Sequence, residues 1–306
     1  MNLNGLHFLL TYQCNFECDH CFVWGSPRQS GVMSSGDIRF YLEQARQTGT
    51  IESVYFEGGE PFLYYATLLN GVRLAAEMGF EVGIVSNSYW AISPEDALET
   101  LRPFAGLLTD LTVSSDLFHY DEKLSRQAQY ATEAARSLGI PTGVITVEKP
   151  QSCAEAGLES GLQTGSGQIP LGESGVMFRG RAADRLAPDA PLRPWQGFDA
   201  CPHEDLREPG RVHLDALGNI HICQGIVLGN LHETALAEIC ARYDPEAHPV
   251  CGPLLAGGPA ALVSEYHLPH QEGYADACHL CYSARNTLRA QFTGILTPDQ
   301  MYGVNI

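Results

Sequence analysis

Residues 6–21 read Leu-His-Phe-Leu-Leu-Thr-Tyr-Gln-Cys-Asn-Phe-Glu-Cys-Asp-His-Cys, an apolar run that passes straight into three cysteines. Leu6–Thr11 is short, apolar and followed by polar residues, which predicts a buried strand. The loop after it carries Cys14, Cys18 and Cys21 in C-x3-C-x2-C spacing, tight enough for three sulfurs to turn toward one point. A [4Fe–4S] cube normally takes four cysteines; three leave one iron open, and a small molecule can bind there. A zinc ion with a distant fourth ligand, such as His20, satisfies the same spacing.

Outward from this stretch the pattern repeats. Helices are predicted over Gly36–Gln47 (entered through Ser34 or Ser35), Tyr65–Met78, Pro94–Leu101 and Asp121–Leu138, with Gly79 and Gly139 as stops. Strands are predicted at Ser53–Glu57, Glu81–Ser86, Leu111–Ser115 and Thr142–Val147, with a sixth at Ser174–Phe178. Strand and helix in alternation imply βαβ units and a parallel sheet, with the loops at the strand C-terminal ends gathered on one rim. Roughly six such units suit a partial barrel. An open flavodoxin-like sheet fits the same periodicity.

Residues 181–200 are rich in Pro, Arg and Ala and are expected to be a linker between a first unit (1–180) and a second (201–306). Beyond it, Arg211–Leu214 and Ile220–Cys223 flank a Gly-Asn turn and predict a hairpin. Helices are predicted at about Glu233–Arg242, Ala260–Tyr266 and Ala277–Phe292.

The chain has 306 residues, 44% of them hydrophobic, and a formal charge of −18. That charge disfavours a nucleic-acid partner, which needs basic grooves. Arg179, Arg181 and Arg185 are a local basic exception, and Arg179 and Arg181 are candidates for holding an anionic substrate group. No apolar run approaches the roughly 20 residues that span a bilayer, and no signal peptide is evident, so no membrane association and a cytoplasmic setting are expected. Ten cysteines in a reducing compartment point to metal binding more than to disulfides. Cys201, Cys223, Cys278 and Cys281 form a second group, able to ligate a cluster fully or to hold zinc. Cys240, Cys153 and Cys251 are read as buried thiols, although Cys251 rivals Cys201 as a ligand.

A second motif follows the second strand: Gly58-Gly59-Glu60-Pro61. Adjacent glycines let backbone approach a ligand closely, and a carboxylate can accept hydrogen bonds from an ammonium group. The C-x3-C-x2-C loop after one strand and the Gly-Gly-Glu-Pro segment after the next resemble the radical S-adenosylmethionine (SAM) superfamily. The resemblance implies a partial (β/α)6 TIM-like barrel in which Cys14, Cys18 and Cys21 hold a [4Fe–4S] cluster and the open iron chelates the SAM methionine. Gly58, Gly59, Glu60 and Pro61 would then bind the methionine amine. His20 stands where the family usually has an aromatic residue against the adenine. Ser86, Asn87, Ser114 and Ser115, at strand ends, would approach SAM or substrate. His119, with Asp116, is the candidate for proton transfer.

The spacing G-x4-C, at Gly218–Cys223, followed by Cys278-x-x-Cys281, resembles the twitch region, a shortened SPASM extension carrying one auxiliary [4Fe–4S] cluster. The resemblance implies two clusters and SAM as cofactors, a flavodoxin or ferredoxin as electron donor, and hydrogen abstraction from a small-molecule or peptide substrate. Dehydrogenation, peptide crosslinking, methyl transfer and epimerisation all occur among such enzymes. No extra N-terminal domain for a leader peptide is evident, which favours a small molecule or a peptide presented by a separate protein. A terminal Gly-Gly is also lacking, which disfavours the molybdenum-cofactor branch.

Overall fold

The computed structural model describes residues 1–150 and 171–304. The strands β1 (Leu3–Thr11), β2 (Ser53–Gly58), β3 (Glu81–Ser86), β4 (Asp110–Ser114), β5 (Thr142–Val147) and β6 (Leu171–Ser174) lie side by side in chain order, each parallel to the next. The helices α1 (Ser35–Thr48), α2 (Tyr65–Glu77), α3 (Pro94–Leu101) and α4 (Arg126–Ser137) connect the first five. A flavodoxin-like sheet would reverse direction beside β1 and carry helices on both faces. From β1 to β6 the order never reverses, so right-handed crossovers place α1–α4 on one face. Val54 and Phe56 on that face of β2 are fully buried, whereas Tyr55 and Glu57 alternate to the other face and stay partly open. The resulting core packs Leu6, Phe8 and Leu10 of β1 against Ile38, Leu42 and Val72 of the helices. This is the α/β architecture of a TIM-like sheet.

Local chemistry sets the helix ends. The Ser34 hydroxyl accepts from the Asp37 amide at 3.1 Å, the Asp37 carboxylate accepts from the Ser34 amide at 2.8 Å, and Gly49 closes α1 in the left-handed region. Helix α4 begins five residues later than expected. Ser125 caps it, accepting from the Ala128 amide at 3.1 Å, and the Ser125 amide donates to the Ser115 hydroxyl at 2.9 Å. Strand β6 ends at Ser174, where the expected strand began. Phe178 leaves the sheet instead and its amide donates to Asp276.

The C-terminal region departs from expectation in its placement. It contains α5 (Arg181–Arg185), β7 (Arg193–Pro194), β8 (Gly210–Leu214), β9 (Asn219–Cys223), β10 (Ile226–Asn230), α6 (Leu236–Arg242), α7 (Cys251–Glu265), β11 (Gly273–Tyr274) and α8 (Ala277–Leu288). The expected hairpin is β8–β9, but β8 also runs parallel to β1 and β10 adds a further antiparallel strand. One nine-stranded sheet, β10-β9-β8-β1-β2-β3-β4-β5-β6, results. The first half of residues 181–200 is likewise built into the fold, because Arg181, Ala182, Ala183, Ala187 and Ala190 are buried, whereas most of 191–200 is exposed. A second apolar cluster joins Leu9, Tyr12 and Val23 to Ile222, Leu262 and Leu280. Helix α7 starts earlier than expected and kinks at Gly257–Gly258, where a Cβ on Gly258 would meet the Ala200 backbone at 2.3 Å. Among the described residues no helix is long and apolar enough to cross a membrane.

Candidate active site

The strand ends open onto a cavity of about 300 Å³ on the concave face of the sheet. Cys14, Cys18 and Cys21 form part of its wall. Backbone donors are already aimed at two of the sulfurs: the Phe16 amide at Cys14 Sγ (3.4 Å) and the Gly25 amide at Cys21 Sγ (3.2 Å). Asn87 Nδ2 adds a longer contact to Cys14 Sγ at 3.6 Å. Such donors favour thiolate over thiol. Burial acts the other way and is stronger, pushing Cys14 up to about 12 and Cys18 well above the ordinary thiol value. Only a bound cation reverses that balance, since metal ligands must be deprotonated. Three thiols with preset donors thus fit an iron–sulfur cluster.

Arg181 holds the cysteine loop from behind. Its Nη1 donates to the Cys18 carbonyl at 2.7 Å and its Nη2 to the Gly25 carbonyl at 2.8 Å. The candidate substrate arginine Arg181 therefore faces backbone, not the cavity. Arg179 does line the cavity, and it lines a second, smaller space as well.

The Gly58–Pro61 segment is locked onto the same loop. The Gly59 amide donates to the Thr11 carbonyl at 2.7 Å and the Glu60 amide to the Gln13 carbonyl at 2.9 Å. A Cβ on Gly59 would lie 2.1 Å from the Gln13 oxygen, and Gly58 has φ +133°. The glycines are required by this backbone contact. The Glu60 carboxylate is placed differently from the expectation. It is fully buried and accepts from the Phe62 amide (3.0 Å), the Ser86 hydroxyl (2.9 Å) and the Asn87 amide (2.8 Å), tying β2 to β3. Burial raises it to about 7 against those bonds. Gly58 and Gly59 border the cavity; Glu60 and Pro61 stand behind them.

On the far side, His20, Ser86, Asn87, Ser114 and His119 line the cavity. His20 packs on Phe118 with ring centroids 4.6 Å apart, burial holds it neutral at about 4, and its buried Nδ1 has no protein partner. A neutral ring with an open polar atom suits a heteroaromatic ligand. Asp116 lies just behind, bonded to His119 Nδ1 at 2.8 Å. Burial favours its neutral form, but the bonds from His119 and the Phe118 amide outweigh that and lower it. Ser115 points away from the cavity, where its hydroxyl contacts Ser125. Residues outside the expected site set also line the cavity, among them Glu57 and the 41% exposed Ile145. Period-two alternation places both on the concave face.

The smaller space is lined by Cys201, Cys223, Cys278 and Cys281 together with Arg179 and Arg285. Cys278 and Cys281 open α8, which Asp276 caps by accepting from the His279 amide at 2.7 Å. Arg179 Nη1 lies 3.3 Å from Cys223 Sγ, and Arg285 is 1% exposed. Cys251 is fully buried in α7 and does not line this space, although the nearby Cys223 and Cys281 help raise its thiol. Cys240 is partly buried against the main core, and Cys153 lies outside the described residues.

Residues 8–149 match the model of the Radical SAM superfamily. The chain is 30% identical over 111 residues to the "Putative peptide biosynthesis protein YydG" of Bacillus subtilis, covering 36% of this chain and 35% of that one. It is 26% identical over 122 residues to an S-adenosylmethionine-dependent nucleotide dehydratase of Fibrobacter sp., covering 38% and 34%. The chain thus spans about a third of the length of these curated relatives. Among solved structures, BtrN in complex with AdoMet and 2-DOIA superposes with TM-score 0.50 at 16% identity, over 78% of this chain and 83% of that one. That likeness shows the shared fold. Residues 8–149 are thus similar to the radical SAM superfamily domain, a domain that in that family holds a [4Fe–4S] cluster and SAM.

Proposed function

We propose that this enzyme cleaves SAM reductively and abstracts hydrogen from a substrate held between two iron–sulfur clusters. Cys14, Cys18 and Cys21 would hold a [4Fe–4S] cluster that, when reduced and with SAM bound, would supply the electron needed to break the S–C5′ bond to methionine and a 5′-deoxyadenosyl radical. The backbone at Gly58–Gly59 leaves room for the methionine beside the cysteines. His20 offers a neutral ring face to the adenine, and Ser86, Asn87 and Ser114 supply polar groups for the ribose. Asp116 orients His119 through Nδ1, which keeps the other ring nitrogen ready to take or return a proton.

The observation that carries the two-cluster reading is the position of Arg179, which borders both the open cavity and the space between Cys201, Cys223, Cys278 and Cys281. We assign those four cysteines to a twitch-like auxiliary [4Fe–4S] cluster formed by residues 201–306. The buried guanidinium groups of Arg179 and Arg285 offset the negative charge of such a cluster and favour its accepting an electron. Dehydrogenation of a small molecule follows as the preferred outcome, with a flavodoxin- or ferredoxin-type donor reducing the first cluster. A peptide substrate is the second reading, favoured by the likeness to the peptide biosynthesis protein.

The test is anaerobic reconstitution with iron and sulfide, followed by SAM and a strong reductant. Release of 5′-deoxyadenosine supports the proposal; a protein that loads iron and SAM but releases none contradicts it.

A further inference from the structure

Three side chains away from the cysteines converge on the concave face of the sheet. His213 of β8 and His7 of β1 are register partners on adjacent strands, and Glu57 stands on β2, on the other side of β1. His7 Nδ1 lies 2.9 Å and His213 Nε2 lies 3.2 Å from the same oxygen, Glu57 Oε1. All three potential ligand atoms fall within 4.8 Å of one another. Two bonds of about 2.1 Å at a right angle place their ligand atoms about 3 Å apart, so the observed separations suit neighbouring positions around one divalent ion.

The rings are also held in place. His7 stacks on Tyr55 with centroids 4.9 Å apart, and His213 meets Phe22 edge-on at 6.0 Å. Glu57 borders the open cavity, so an ion here would be reachable by a molecule within it.

We propose that His7, Glu57 and His213 form a divalent-metal site on the concave face of the sheet. Two imidazoles and one carboxylate select a first-row ion such as Mn²⁺ or Fe²⁺ over the soft ions that thiolates prefer. Three protein ligands leave positions open toward the cavity, and a cation there would take a carboxylate, phosphate or carbonyl oxygen of the substrate. The site is independent of how the cysteines are occupied, since no ligand is shared.

Mn²⁺ is the probe, because it is poorly matched to thiolates, and oxidised cubane clusters are diamagnetic. The reconstituted holoprotein is titrated with Mn²⁺ and free ion is followed by EPR. About one equivalent should bind, with nitrogen modulation from imidazole in the spin-echo spectrum, and binding should weaken at least tenfold in His213→Gln and in His7→Gln. Circular dichroism and iron content identify a variant that has failed to fold, in which case the wild-type echo spectrum decides. Absence of bound Mn²⁺, or bound Mn²⁺ without nitrogen modulation, overturns the proposal. Equal binding by correctly folded variants also overturns it.

Discussion

Arg181 Nη1 donates to the carbonyl oxygen of Cys18 across 163 residues of sequence, at 2.7 Å. A helix beyond the sixth strand thus fixes the geometry of a loop that follows the first. With the parallel bond to Gly25, the guanidinium bridges two carbonyls of the cysteine loop as a planar fork.

Lysine cannot reproduce that fork. Arg181→Lys should lower stability by about 2–3 kcal/mol, the cost of leaving a buried carbonyl unpaired. It should also deplete iron at the first cysteine set selectively. Thermal denaturation and iron content check this; wild-type loading would show that the clamp is dispensable.

Gly59→Ala forces a Cβ into the Gln13 carbonyl, 2.1 Å away, where backbone and not a flexible side chain must move. We expect a loss of more than about 3 kcal/mol or failure to accumulate folded protein. Gly49→Ala is the control: its Cβ would meet nothing within 4 Å, and only the left-handed backbone strain at φ +72° remains, about 1 kcal/mol. Equal destabilisation of the two would refute the close-approach argument.

The strands of the sheet were legible because buried parallel strands are near-continuous apolar runs, and Ser34, Gly79 and Gly139 mark helix ends by local hydrogen bonding. The cysteines were legible because their spacing is itself local. What escaped was non-local. Whether β8 stands apart or joins β1 depends on pairing between residues some 200 positions apart, which leaves no periodic mark. For the same reason His7, Glu57 and His213 looked unrelated in sequence. Glu60 misled in another way: its neighbourhood suggested a ligand-binding carboxylate, but burial and three donors from β3 and the next turn make it a structural tie. Residues 181–200 read as linker because Pro, Ala and Arg are common in loose segments; here Ala182, Ala183, Ala187 and Ala190 are packed and Arg181 bonds two carbonyls.

Cys201 and Cys251 make a matched test of the second site. Cys201→Ala should remove the iron bound at the C-terminal set, whereas Cys251→Ala should leave it in place, because Cys201 lines that space and Cys251 does not. Iron content and the EPR signal of the reduced protein distinguish them. The reverse pattern would reassign the fourth ligand.

His248 supplies a pH dependence away from the cysteine sites. Its Nδ1 accepts from the Val250 amide at 3.2 Å and from the Cys251 amide at 3.1 Å, serving the start of α7. Burial lowers it to about 4 from 6.5. The unfolded chain therefore binds the proton first as pH falls, so stability should be full above about pH 6.5 and decline toward pH 4. After allowance for partial exposure, the loss is roughly 1–2 kcal/mol. His248→Asn keeps an acceptor that does not titrate. Denaturant unfolding at pH 7 and pH 5 should show a smaller decline for this variant than for the wild type.

The central claim is that Cys14, Cys18 and Cys21 hold the cluster that cleaves SAM, apart from a second, all-cysteine site. Iron content and 5′-deoxyadenosine release measured together on the triple variant Cys14→Ala, Cys18→Ala, Cys21→Ala test it most directly. The account predicts no 5′-deoxyadenosine and about half the wild-type iron. Undiminished release would contradict the assignment of the first site, and complete loss of iron from a folded variant would contradict the second.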